Sequence, residues 1–149
     1  INLDILPTIC EILDIPKPKN KLDGKSILEI IKSDEAKSPH EVLHWMWQGM
    51  WAVRKGNWKL IYDGHDTTVK FSIHPEKEFE MPEYSLAKLD DEKPEEINYA
   101  LKEPKIFKEL LALHQSWAKD VFEGSGYPDP NSAEGKKEKI IKTKGTTKL

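Results

Sequence analysis

One cysteine, Cys10, stands in 149 residues. An internal disulfide is thereby excluded, and so is a metal site built on thiolates. No apolar run reaches the roughly 18 residues of a membrane-crossing helix, so no span is expected. Neither sign of charge dominates: a net charge of −3 gives no global field that would favour nucleic acid. The histidines are His40, His44, His65, His74 and His114. No two of them fall on one predicted helix at the spacing of a zinc site. There is no leader-like opening and no initiator Met. The chain starts at Ile1 within a helical pattern, which reads as an excerpt from a longer protein. No internal repeat is visible.

What is present suits one compact domain of ordinary size. Hydrophobic residues make up 38% and charged residues 33%, polar for a globular chain but enough for a core. Charge is uneven. The block from Glu76 to Glu96 is mostly acidic, while Lys136, Lys137, Lys139, Lys142, Lys144 and Lys148 make the C-terminal tail basic.

Asp4 is placed to cap a short helix with Pro7 in its first turn. Ile5, Ile9, Ile12 and Leu13 recur at helical spacing and predict one buried face. Pro16 and Pro18 are expected to end that helix. Leu22-Asp23-Gly24-Lys25-Ser26 reads as a turn, with Asp23 or Ser26 capping a second helix from Ile27 to Lys32. Ser33 to Pro39 reads as a polar loop. Strands are predicted over Val42 to Trp47, Trp51 to Arg54, Trp58 to Tyr62, Val69 to Ile73 and Glu83 to Leu86. Gly64-His65-Asp66 reads as a turn and His74 to Pro82 as a charged loop. A long helix follows Pro104, with Ile106, Leu110, Leu113, Trp117 and Val121 as its apolar stripe and Gly124-Ser125-Gly126 as its stop. The expected class is α+β: a small antiparallel sheet packed against a long C-terminal helix and preceded by short helices. Beyond Pro130 little order is expected.

The richest stretch runs from Leu43 to Tyr62. It reads as a β-hairpin of two aromatic-rich strands joined by Lys55-Gly56-Asn57, where Gly-Asn provides the positive φ of a tight turn. Its Ala52-Val53-Arg54-Lys55-Gly56-Asn57-Trp58-Lys59-Leu60 resembles the hairpin in the C-terminal part of sulfatases. Three further segments resemble that family in the family's order. Leu3-Asp4-Ile5-Leu6-Pro7-Thr8-Ile9 is similar to its Asp-x-x-Pro-Thr helix start. Leu22 to Leu28 is similar to its Leu-Asp-Gly-x-Ser-Leu-Leu element. Glu83-Tyr84-Ser85-Leu86 through Ala100 looks like a degraded Glu-Leu-Tyr-Asp-Leu…Asn-Leu-Ala segment. A helix resembling Pro104 to Val121 normally follows in the family, and together these cover roughly residues 3 to 121. Departures from the family pattern include Ser85 for Asp, Trp51 where many members carry Arg, and Trp47 where some carry a polar group.

The resemblance implies the C-terminal part of an arylsulfatase-like enzyme of the alkaline phosphatase superfamily. Residues 1–34 would join the larger α/β catalytic domain, 35–123 would form the C-terminal subdomain, and 124–149 would be a basic tail. It implies a formylglycine nucleophile and a calcium ion in the parent enzyme, with a sulfated small molecule or glycan as substrate. An exported or lysosomal location is implied likewise. Cys10 is followed by Glu11-Ile12-Leu13-Asp14 and does not match Cys/Ser-x-Pro-x-Arg, so it reads as a small apolar residue on a helix. No catalytic, cofactor-binding or metal-binding residue is assigned, and the chain alone is expected to be inactive. It is expected to expose an apolar patch where the preceding domain would dock.

Substrate-binding candidates are His44, Trp47, Gln48 and Trp51, at the end of the hairpin that would face the cleft. Each has a plainer reading. His44 fits a polar strand position, and alternating aromatics usually build a sheet's packing surface. Core packing is expected for Trp45 and Trp58, and His114 reads as a boundary residue beside the apolar stripe. Asp90-Asp91 reads as solvated surface. Arg54 and Lys59 could meet a sulfate, or could simply solubilise the turn. Two rivals remain open: a non-catalytic carbohydrate-binding module built on the aromatic hairpin, and a fragment of a related phosphodiesterase or phosphonate hydrolase.

Overall fold

A computed structural model describes residues 1–47, 49–63, 82–125 and 129–130. The expected Gly64-His65-Asp66 turn, the Val69 to Ile73 strand, nearly all of the 74–82 loop and the Lys-rich tail lie outside the described residues. The chain divides into two compact units, Ile1–Glu41 and Val42–Leu149.

In the first unit a 3-10 turn, Asn2–Asp4, runs into helix α1 (Ile5–Ile12), and a short helix α2 spans Leu28–Lys32. The helix α1 stops before Pro16. Asp14 takes a left-handed conformation (φ 51°), its N–H reaches the Glu11 carbonyl, and the Ile15 N–H returns to the Cys10 carbonyl. That pair of bonds is a Schellman closure, with Asp in the place glycine usually takes. Between the helices, Gly24 passes so close to the first turn that a Cβ there would lie 1.9 Å from the Leu3 carbonyl oxygen. Only glycine fits this approach.

The face of α1 turned inward differs from the expected one. Pro7, Thr8 and Cys10 are buried, whereas Ile5, Ile9, Ile12 and Leu13 are exposed. The cause is a polar network on the other side of the helix. Asp4 and Thr8, four residues apart, share one face. The Asp4 carboxylate accepts from the Lys25 N–H (2.9 Å) and meets His40 Nε2 (2.8 Å), and the Thr8 hydroxyl accepts from the Ile27 N–H (3.1 Å). These bonds fix the rotation of α1 and send the isoleucines outward. Asp4 occupies the N-cap position but makes no capping bond, and Ser26 rather than Asp23 accepts from the Leu28 N–H at the head of α2.

The second unit is a four-stranded antiparallel meander in the order β1-β2-β3-β4: β1 Val42–Trp47, β2 Met50–Lys55, β3 Trp58–Tyr62 and β4 Tyr84–Lys88. Pairing of Lys55 with Trp58 leaves Gly56-Asn57 as the turn, and Gly56 alone carries its positive φ of 56°. The period of two puts His44, Met46, Trp51, Val53, Leu60, Tyr62 and Leu86 on one face, and Trp45, Trp47, Ala52 and Ile61 on the other. Helix α3 (Pro104–Phe122), opened by Pro104, packs across β2 and β3. Trp51, Val53, Leu60, Leu86 and Leu110 form the core between sheet and helix. Gly124, with φ 74°, ends the helical run.

The fully buried line of α3 is Leu110, His114 and Ala118; of the predicted stripe, Leu110 sits in the core, Ile106 and Leu113 pack half-buried against it, and Val121 is exposed. The outer edge of β4 is closed by Asn98. Its side-chain oxygen accepts from the Leu86 N–H (3.0 Å), its amide donates to the Tyr84 carbonyl (2.9 Å), and the Tyr99 N–H completes the edge at the Leu86 carbonyl (2.8 Å). One side chain thus mimics a neighbouring strand and leaves those edge groups paired.

Candidate ligand-binding cleft

Aromatic side chains gather where β1 turns into β2. Trp51 is 6% exposed and stacks on His114, with ring centroids 3.8 Å apart, and on Tyr62 at 5.5 Å. His44 lies parallel to Trp117 at 4.8 Å, and 6.0 Å from the His114 ring. Sheet and helix α3 are therefore joined by a ladder of rings, two of them imidazoles. The Nδ1 atoms of both histidines are buried without a hydrogen-bond partner. Burial lowers the His44 pKa. Burial, reinforced by the neighbouring His44 and opposed by Asp129, takes His114 down to about 4. Both imidazoles are neutral at pH 7 and serve as flat packing groups.

A cleft of about 720 Å³ opens beside this ladder, lined by His44, Trp45, Trp47, Trp51, Tyr62 and Trp117 among others. Its described walls carry no Lys, Arg, Asp or Glu. Three of the four sequence candidates, His44, Trp47 and Trp51, line this cleft. His44 and Trp51 belong to the helix-facing side of the sheet, and Trp47 to the opposite side. Trp47 is 65% exposed, and Trp45, expected in the core, is exposed beside it. Gln48 lies outside the described residues. Trp58 does pack against the core, edge-on to Tyr99.

His114 was missed as a cleft neighbour. It is 3% exposed, not a boundary residue, and its spacing of four from both Leu110 and Ala118 was the available signal.

The cations of the hairpin are committed elsewhere. Arg54 Nε donates to the Gly56 carbonyl at 3.0 Å, Lys59 pairs with Glu95 at 2.6 Å and Lys55 with Glu109 at 2.8 Å. Asp90 accepts from Asn57 at 3.0 Å, and Asp91 accepts from the Tyr99 hydroxyl at 2.5 Å, which raises the Tyr99 pKa. The Asp pair therefore helps hold a loop, with Asp90 exposed as expected and Asp91 half-buried.

The described residues fit neither group implied for the parent enzyme. Among the described residues no three His, Cys, Asp or Glu side chains form a metal-holding group. Cys10 is buried on α1 and lacks the Pro-x-Arg sequence that formylglycine formation would require.

No protein-family model matches the chain. A curated protein of Schizosaccharomyces pombe, described as an uncharacterized sulfatase, is 29% identical over 118 residues, covering 73% of this chain. The chain spans 19% of that protein's length. This likeness supports a sulfatase-related region, at the level of the family and without catalytic detail. Among the described residues no helix is long and apolar enough to cross a membrane.

Proposed function

We propose that this chain is the C-terminal part of a sulfatase that hydrolyses sulfate esters of an aryl or carbohydrate group. It supports and borders an active site whose nucleophile and metal ligands belong to a separate catalytic domain of the arylsulfatase type. The carrying observation is the likeness to a sulfatase of which this chain covers 19%. The exposed apolar face of α1 adds to it, since Ile5, Ile9, Ile12 and Leu13 find no cover within the first unit. The two N-terminal segments that resemble the family bind each other through Asp4, Thr8, Gly24 and Lys25, which gives those motif residues a structural duty.

The test is an assay of the longest gene product containing this chain against an aryl sulfate, the matching phosphate diester and a phosphonate ester. Hydrolysis of the sulfate, absent from the 149-residue chain alone, is expected. Turnover of the diester or phosphonate with no sulfate turnover would move the reading to a related phosphodiesterase or phosphonate hydrolase. The exposure of Trp45 and Trp47 on one strand face favours a second reading, a carbohydrate-binding module without catalysis. Saturable glycan binding by a gene product inactive on all three esters would establish it.

A further inference from the structure

We infer that the cleft at the β1–β2 turn binds the uncharged ring of a ligand, and that the anionic group of that ligand is held elsewhere. The inference rests on the sulfatase reading and deepens it by dividing substrate recognition between two places.

Three observations carry it. The described walls of the cleft are aromatic or aliphatic, with His44 the single ionisable side chain besides Tyr62. Burial keeps His44 neutral, so the cleft presents no cation to an anion. Arg54, Lys55 and Lys59 lie at the other end of the hairpin, and each is hydrogen-bonded to a carboxylate or a carbonyl. An oxyanion entering this cleft would lose its water and gain no charge-assisted partner, a cost several-fold larger than any stacking gain. A neutral ring meets the opposite balance. Trp47 and Trp45 lie two residues apart on one strand face, both exposed, with the smaller Ala52 and the aliphatic Ile61 beside them on that face. Indole faces bind flat rings through dispersion and through their negative quadrupole, which attracts the polarised C–H groups of a sugar or the edge of an aryl ring. The cleft volume of about 720 Å³ falls in the range of small-molecule sites.

The shared ligand chemistry is thus an uncharged six-membered ring with an apolar face, and the arms of the test separate aryl from pyranose. The 149-residue chain, labelled with nitrogen-15, is titrated with 2-naphthol and with cellobiose while the five tryptophan indole N–H signals are followed. The same is done with 2-naphthyl sulfate. Saturable shifts at Trp47 and Trp45 with one neutral probe are expected. The sulfated probe should bind no more than about threefold tighter, with no salt dependence. Trp47→Ala should weaken binding by about tenfold. Trp47 is largely exposed, so the fold should persist, as unchanged Trp51 and Trp58 signals would verify. Lys59→Ala should leave binding unchanged.

No saturable shift with either neutral probe would overturn the inference. So would binding of the sulfate ester about tenfold or more tighter and lost in salt. Either failure leaves the sulfatase reading standing, because that reading is judged by ester turnover in the longer product and not by ring binding in this chain.

Discussion

The two units solve the problem of cohesion in opposite ways. The sheet unit buries Val53, Leu60, Leu86 and Leu110 completely and keeps its ion pairs at the surface. The helical unit buries a carboxylate, Asp4 at 1% exposed, and leaves its isoleucines outside. A unit with an inward apolar core is complete in itself. One held by a polar clasp keeps its apolar side outward, uncovered by its own residues. On the proposed reading, the sheet unit is scaffold and the helical unit is the joint to the catalytic domain.

The comparison breaks most visibly at the core. Leu60→Ala should cost the sheet unit about 3 kcal/mol, read from urea unfolding, because a fully buried leucine leaves both lost transfer energy and a cavity. Protection of the α1 amides against hydrogen exchange should change far less than that of β2 and β3.

Gly24→Ala should do the reverse. A Cβ placed 1.9 Å from the Leu3 oxygen must push the loop off the first turn, at a local cost of about 2 kcal/mol. Exchange should rise across α1 and at the Lys25 and Ile27 amides, with the sheet unaffected.

Acid sharpens the contrast by a smaller amount. Folded His114 titrates at about 4, against its ordinary 6.5, so between these values the unfolded chain holds a proton that the folded chain refuses. The sheet unit should therefore lose about 1–2 kcal/mol as pH falls from 6.5 toward 4, a loss that His114→Phe removes. The clasp responds lower down. Burial works to raise the Asp4 pKa, yet hydrogen bonds from the Ile1 nitrogen, the Lys25 N–H and His40 bring it from 3.8 to about 2. Its contribution is complete above pH 3.8 and is lost as pH falls toward 2. Urea midpoints followed at one-unit pH steps, with separate probes in each unit, would separate the two windows.

The sheet was legible in the sequence because its signals are local. Alternation from Val42 to Tyr62, Gly56-Asn57 at the turn and Pro104 ahead of a helix each act within a few residues. The orientation of α1 was not legible. The period of Ile5, Ile9 and Ile12 identified an apolar face correctly, but contacts 19 to 36 residues away chose the opposite face for burial. The same limit applied to the site. Trp47 and Trp51 are neighbours at a turn, yet strand pleating sends one into the core and the other into solvent, and a shift of one residue reverses that assignment. The duty of Asn98 to the edge of β4 appears only once β4 is placed.

The smallest effect on the isolated chain carries the most direct test. Ile9→Asp with Ile12→Asp replaces two exposed residues, so the 149-residue chain should keep its stability within about 0.5 kcal/mol. In the longest gene product containing this chain, the same pair should lower the unfolding midpoint by several degrees and reduce sulfate-ester turnover, because the charges would then sit in an interface between bodies. The measurement is thermal unfolding of both proteins, with and without the pair. Sensitivity in the long product alone is the result predicted. Equal indifference in both would show that this face meets solvent in the longer product, and would contradict its proposed role as the joint.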